Sequence, residues 1–152
     1  MTIHIALFEP EIPQNTGTIL RIADCFGVHL HIIEPCGFIF GGKHMKRASM
    51  DYLQTVQYSM YNNFQEFQHY VNNNKLRLIL ATTKASEKYY DFPFNRNDII
   101  LFGKETSGLP SYIHNLTPYK IFVPMQLGKR SLNIAVSCGI IVSEAIKQLN
   151  II

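Results

Sequence analysis

The chain has no apolar run approaching the roughly 20 residues needed to span a bilayer. Its three cysteines, Cys25, Cys36 and Cys138, are odd in number, far apart and without a C-x-x-C spacing. A disulfide framework and a zinc cluster are both poorer readings than buried, reduced thiols in a cytoplasmic protein. The opening Met1-Thr2-Ile3-His4 has no basic segment ahead of a long apolar stretch, so a secretory leader is not expected. No G-x-G-x-x-G follows the first apolar run, and H-E-x-x-H, a nucleophile elbow and an EF-hand loop are missing too. A common dinucleotide or methyltransferase site of the Rossmann kind therefore has no support. Internal repeats, low-complexity tracts and composition breaks that would mark a linker are also absent, so residues 1–152 read as a single domain.

What is present is a well-mixed chain. Apolar residues make up 47 % and charged residues 16 %, too apolar for disorder and too evenly mixed for a fibre. The net charge is only +3. That suits a polyanionic partner without demanding one.

Short runs rich in β-branched residues, Leu and Phe occur at residues 3–8, 28–33, 76–81, 99–102 and 121–123. They predict strands buried on both faces. Between them the spacing predicts a helix over 18–26, with Asn15 or Thr16 as its cap and Gly27 as its stop, and a second over 63–71. A third helix is predicted over about 132–149. Strand–helix alternation predicts an α/β domain with a mainly parallel sheet and helices on both faces. The last helix is apolar around most of its circumference, from Ile134 and Val136 to Ile141 and Ala145. Such a helix must be covered on most sides, which favours a homodimer over a monomer.

In open α/β sheets ligands sit beyond the carboxyl ends of strands, so the loops after the strands are the places to search. The first, Glu-Pro-Glu-Ile-Pro-Gln-Asn-Thr-Gly at 9–17, leads to Arg21. Asn15 and Gly17 suit a tight turn there. Arg21 is either a surface cation paired to Glu9 or Glu11, or a guanidinium aimed at a phosphate or developing oxyanion. The second loop, Phe-Gly-Lys-Glu-Thr-Ser-Gly-Leu-Pro at 102–110, brackets polar residues between glycines but lacks the Lys-Ser/Thr of a P-loop. The third, at 123–133, enters the last helix, which Ser131 or Asn133 would cap. His29 and His31 would share a strand face, but with no third ligand nearby no metal is expected. Lys43, His44, Lys46 and Arg47 form a basic cluster, either a solvated face or a phosphate contact.

Taken together and in order, these loops resemble the signature of the SPOUT class of RNA methyltransferases. The resemblance is closest to the small single-domain family that 2′-O-methylates the wobble nucleotide of certain tRNAs, and it covers nearly the whole chain. The first loop with Arg21 matches the first motif. Ile-Glu-Pro-Cys-Gly-Phe at 33–38 and Asp51-Tyr52 match a stretch particular to this subfamily. Phe-Gly-x-Glu-Thr-x-Gly-Leu-Pro at 102–110 matches the second motif, and Pro124-Met125 with Arg-Ser-Leu-Asn at 130–133 the third. Lys104 and Ser107 depart from the usual Pro and Arg, and Ser143 stands where a tyrosine is frequent. In place of a common acidic pair the chain has Gly41-Gly42.

The resemblance implies a deep C-terminal trefoil knot and a homodimer acting on tRNA in the cytoplasm, with S-adenosylmethionine as cofactor and neither metal nor membrane involved. It implies a cofactor pocket built from Ala81, Thr82, Gly103, Glu105, Val123, Met125, Ser131, Leu132 and Asn133. Arg21, Asn15 and Asn133 are the implied catalytic residues, and Lys43, Lys46, Arg47 and Arg130 the implied RNA contacts. The same class leaves open methylation of ribosomal RNA, or a catalytically silent RNA-binding domain. Intact Asn15, Gly17, Arg21 and Ser131-Leu-Asn133 argue against silence, and the lack of an appended RNA-binding domain favours a compact tRNA.

Overall fold

The computed structural model describes residues 3–152. Seven strands form one sheet: β1 (His4–Phe8), β2 (His29–Ile33), β3 (Tyr58–Tyr61), β4 (Arg77–Ala81), β5 (Glu87–Lys88), β6 (Asp98–Phe102) and β7 (Lys120–Phe122). Their order is β3-β2-β1-β6-β4-β7-β5, and every pairing is parallel. Five helices accompany them: α1 (Pro13–Phe26), α2 (Lys43–Ser49), α3 (Phe64–Asn73), α4 (Ser111–His114) and α5 (Ile134–Leu149).

Strand residues alternate between two cores, as the period-two geometry of a strand dictates. Ile5, Leu7, Ile79, Ile100 and Phe102 join one core with residues of α1, α2 and α5. Ala6, Phe8, Leu80, Ile99 and Leu101 join the other with Phe64, Phe67 and Ile113 from α3 and α4. The predicted α/β sheet with helices on both faces is what the chain forms. The polar ends of β4 and β6 are locked by Asp98, fully buried, which accepts two hydrogen bonds from the Arg77 guanidinium at 2.6 and 2.8 Å. That guanidinium also lies 4.9 Å from the Phe92 ring centroid and 5.0 Å from that of Tyr119.

Four local expectations change. First, α1 begins at Pro13 rather than residue 18, and Ile12 occupies the cap position in place of Asn15 or Thr16. A proline's fixed φ and missing N–H suit the first turn of a helix, and the cap comes from far along the chain, as described below. Gly17 consequently lies inside the helix and makes no turn. A Cβ there would sit 2.6 Å from the backbone of Ala48, so glycine is what lets α1 and α2 touch. Second, a helix that the sequence did not predict, α2, carries the basic cluster and leaves both of its readings open: Met45 and Ser49 are buried while Lys43, Lys46 and Arg47 face out. Third, the edge strands β3 and β5 escaped the sequence reading, because their partly exposed residues show no apolar run. Fourth, Cys25 is exposed, not buried, although all three cysteines are free thiols.

Gly27 ends α1 with φ +64 and donates to the Ala23 and Asp24 carbonyls. Asn133, not Ser131, caps α5, its side-chain oxygen accepting from the amides of Ala135 and Val136 at 2.8 and 3.3 Å. One face of α5, with Ala135, Cys138, Ile141, Val142 and Ala145, is buried within the chain, whereas Val136 stays 51 % exposed. The chain covers only part of this apolar helix.

His29 and His31 do share a face, and His4 of β1 joins them. The ring nitrogens are engaged with one another and with neighbouring hydroxyls: His4 Nδ1 with His31 Nε2 at 2.9 Å, His31 Nδ1 with the Tyr61 hydroxyl at 2.9 Å, and His29 Nε2 with the Ser59 hydroxyl at 2.8 Å. Burial, and the repulsion each would feel from its charged neighbours, pushes His31 down to about 2 and His4 to about 4, and burial lowers His29 as well. In the unfolded chain these imidazoles titrate near 6.5. The unfolded state therefore binds more protons than the folded one below that pH, and stability falls with acidification. We expect stability to be intact above pH 7 and to fall progressively from about pH 6.5 downward. The fully buried His31 alone contributes a slope of about 1.4 kcal/mol per pH unit. Urea unfolding of wild type and His31→Leu at pH 7.5, 6 and 5 checks this; equal slopes for the two would contradict it.

Candidate active site

The carboxyl ends of β6, β4 and β7 lie side by side in the sheet, and the loops that leave them enclose a cavity of about 540 Å³. That volume is of the size that holds a small organic ligand. Ala81 and Thr82 line it from the end of β4, Gly103 and Glu105 from the loop after β6, and Val123 and Met125 from the segment after β7. Ser131, Leu132 and Asn133 close it at the entry to α5. All nine residues expected to hold the cofactor therefore border one space. Asn15 lines it as well, as does Arg130, which the sequence suggested only as an RNA contact. Ile12, Lys84, His114, Ser137 and Ile141 also border it and were not anticipated. Ser137 and Ile141 lie one and two turns beyond Asn133 on α5, a periodicity that would have identified them.

The loop after β6 folds back tightly. Lys104 and Gly108 exchange backbone hydrogen bonds at 2.9 and 3.1 Å. A Cβ on Gly103 would come within 2.4 Å of the Gly108 backbone, so no other residue fits there undisturbed. Two carboxylates then tie this loop to the start of α1. Glu105 accepts from the amides of Glu11 and Ile12 at 2.9 and 3.2 Å. Glu11 accepts from the amide and hydroxyl of Thr106 at 3.1 and 2.7 Å, and these bonds hold its carboxyl below its ordinary pKa. Glu105 thus supplies from a distance the cap that α1 lacks locally. It borders the cavity, but its carboxylate oxygens are engaged by α1.

A further bridge joins two implied catalytic residues: the Asn133 side-chain amide donates to the Asn15 side-chain oxygen at 2.9 Å. Asn133 therefore caps α5 and holds Asn15 with opposite ends of one side chain.

Arg21 stands apart. It does not border the cavity. It follows Asn15 by six residues, roughly 9 Å along the helix and about 240° around it. The first of its two sequence readings, a salt bridge to Glu9 or Glu11, is not what forms: Glu9 pairs with Lys104 at 3.1 Å, and Glu11 is held by Thr106. Instead its guanidinium carbon lies 5.3 Å from the ring centroid of Tyr52. Lys43, Lys46 and Arg47 project from α2, which packs on the same α1.

Known proteins resemble this chain along nearly its whole length. The model of the SpoU rRNA methylase family matches residues 2–143. A protein of Beijerinckia indica named tRNA (cytidine(34)-2′-O)-methyltransferase is 41 % identical over 145 residues, 95 % of this chain and 91 % of its own length. A solved structure concerned with the 2-OH methylation of C/U34 on tRNA superposes with a TM-score of 0.93 at 34 % identity, covering 98 % of this chain and 97 % of its own. The AdoMet-bound rRNA methyltransferase of Sinorhizobium meliloti shares the fold, with a TM-score of 0.89 at 23 % identity over 97 % of this chain and 57 % of its own.

The remote cap makes a measurable claim. Glu105→Ala takes the carboxylate acceptor from the two amides just ahead of α1 and should lower stability by about 0.5–2 kcal/mol. Glu105→Gln, which keeps one acceptor oxygen, should recover part of the loss. Denaturant midpoints of the three proteins test this, and an unchanged midpoint for the alanine variant would refute the cap.

Proposed function

The chain belongs to the SpoU methylase family, and we propose that it transfers a methyl group from S-adenosylmethionine to the ribose 2′-hydroxyl of the wobble nucleotide of tRNA. The observation that carries this reading is the single cavity at adjacent strand ends, bordered by all three motif loops. Relatives covered along nearly their whole length and named for methylation at position 34 support tRNA as the substrate. Ribosomal RNA is the second reading, supported by the family description.

The cavity's residues fit the cofactor. Val123, Met125, Leu132 and Ile121 offer apolar walls for an adenine, while Thr82, Ser131 and the backbone of the Gly103 turn offer polar contacts. When bound, S-adenosylmethionine supplies a methyl group on a positively charged sulfur. The ribose 2′-oxygen must then lie in line with that methyl carbon and lose its proton. Holding the two partners in line lowers the barrier by several kcal/mol.

Asn15 and Asn133, bonded to each other at the cavity rim, would position the ribose. Arg21 would stabilise the developing alkoxide, the proton passing to a phosphate or water, since a guanidinium is too weak an acid to serve as the base in its neutral form. Because Arg21 lies off the cavity of its own chain, the reacting ribose must bridge the two, within one subunit or across a dimer. Arg130 and the outward face of α2, with Lys43, Lys46 and Arg47, would hold the RNA backbone. The trefoil knot expected at the C-terminal end belongs to the same proposal, as does a cytoplasmic location. No helix among the described residues is long and apolar enough to cross a membrane.

A homodimer completes the reading. Val136, Leu132 and Ile12 are 51 %, 40 % and 40 % exposed beside the cavity and the buried face of α5. A second subunit would cover them. Light scattering at micromolar concentration should give twice 17.4 kDa, and Val136→Glu should shift it toward the monomer; a wild-type mass of one chain would exclude the dimer.

Arg21→Ala should lower the single-turnover rate of ribose methylation by about 10²–10³, with calorimetric affinity for S-adenosylmethionine nearly unchanged. Arg21→Lys should rescue poorly, because a point charge cannot reproduce the guanidinium fork. An alanine variant within a few-fold of wild type would remove Arg21 from the reaction. Mapping ribose methylation in tRNA and ribosomal RNA, with and without the protein, separates the two substrate readings.

A further inference from the structure

A surface arginine that rests on a carboxylate gives up N–H donors to it. Arg21 does not follow that pattern. Among the described residues no acidic group lies within salt-bridge distance of it. Its one recorded partner is the face of Tyr52, 5.3 Å from the guanidinium carbon. A ring face attracts the cation through its quadrupole and takes no hydrogen bond from it. Every donor of the guanidinium is thereby left for oxygen acceptors from elsewhere.

The platform is itself anchored. Tyr52 opens a single 3₁₀ turn, Tyr52–Gln54, in the excursion between β2 and β3. Leu53 packs on the main core and Val56 is buried in it. The hydroxyl of Thr55 donates to the Asp24 carboxylate at 2.9 Å, stapling the turn to α1 three residues beyond Arg21. The amide of Val56 closes the turn on the Tyr52 carbonyl at 2.9 Å. Tyr52 is thus held against α1 from two sides and is itself half-buried, while Arg21 is exposed.

We propose that Tyr52 is the positioning residue of Arg21: its ring fixes the guanidinium in place while leaving all of the guanidinium's donors free for the RNA substrate. The inference rests on the role of Arg21 given above. It adds that the excursion carrying the basic helix α2 also sets the aim of the arginine.

The test compares Tyr52→Leu and Tyr52→Phe in single-turnover methylation of tRNA, beside S-adenosylmethionine affinity and thermal midpoint. Loss of the ring should lower the rate roughly tenfold, with cofactor affinity and KM for tRNA little changed. Tyr52→Phe keeps the ring and should restore most of the rate. Tyr52→Met supplies a second ringless side chain should the leucine variant fold poorly. The sharpest readout is coupling. Tyr52→Leu combined with Arg21→Lys should lose less than the product of the separate losses; losses that multiply would show that the residues act independently and would overturn the proposal. A Tyr52→Leu enzyme at wild-type rate, with Arg21→Ala inactive, would overturn it while leaving the role of Arg21 standing. If Arg21→Ala were itself active, the failure would lie in the underlying reading.

Discussion

The carboxylate exchange between Glu11 and Glu105 is the interaction on which the rest of the site depends. Two acidic side chains nearly a hundred positions apart each hold backbone beside the other: Glu105 takes the two amides just ahead of α1, and Glu11 pins the turn after β6. The loop after β6 therefore fixes the chain as it enters α1, adding to the helix start that Pro13 favours locally. The converse also holds, because that loop is glycine-bracketed and has little side-chain packing of its own at its tip. Asn15, three residues beyond Ile12, follows this pairing and in turn meets Asn133 across the cavity rim. Parallel β-sheets place such loops at one edge by geometry; the carboxylates make the edge specific.

The two ends of the sheet carry different kinds of polar chemistry. At the amino ends, Asp98 and His31 are buried and Arg77, His4 and His29 are half-buried around them, each engaged with a protein partner. At the carboxyl ends, Lys84, Arg130 and His114 border open space. Buried polar groups cost stability unless fully partnered, and at the amino ends they are. The polar groups that remain available for a ligand lie opposite, where the proposed reaction would occur.

Much of this was legible in the sequence, and the exceptions share a cause. Buried strands such as Ile99–Phe102 announce themselves by composition, and the loops that follow them could be read as site segments. The edge strands β3 and β5 could not, since a strand paired on one side needs no apolar run. The start of α1 was misplaced because the local signal, Pro13 at the first helical position, was passed over for the capping residues Asn15 and Thr16, while the partner of the amides ahead of it sits at residue 105. Gly17 looked like a turn residue because glycine's two uses, a special φ and a close approach, leave the same letter in the sequence. The nine cavity residues were found through resemblance at fixed positions; the separation of Arg21 from that cavity needed coordinates.

The contact between Gly17 and Ala48 has a consequence for how this protein could diverge. A side chain larger than hydrogen at position 17 would collide with the α2 backbone, so the two helices move and vary as a unit. The segment between β2 and β3, which carries the outward lysines and Tyr52, is therefore not a detachable cassette. Transplanting it from a relative with a different RNA preference would require the incoming α2 to bring its own small residue opposite Gly17. Without that match, a graft meant to alter target choice would first tilt the helix that bears Asn15 and Arg21. Under the proposed reading, change in what α2 recognises and change in what α1 catalyses would be coupled by the missing volume of one methyl group.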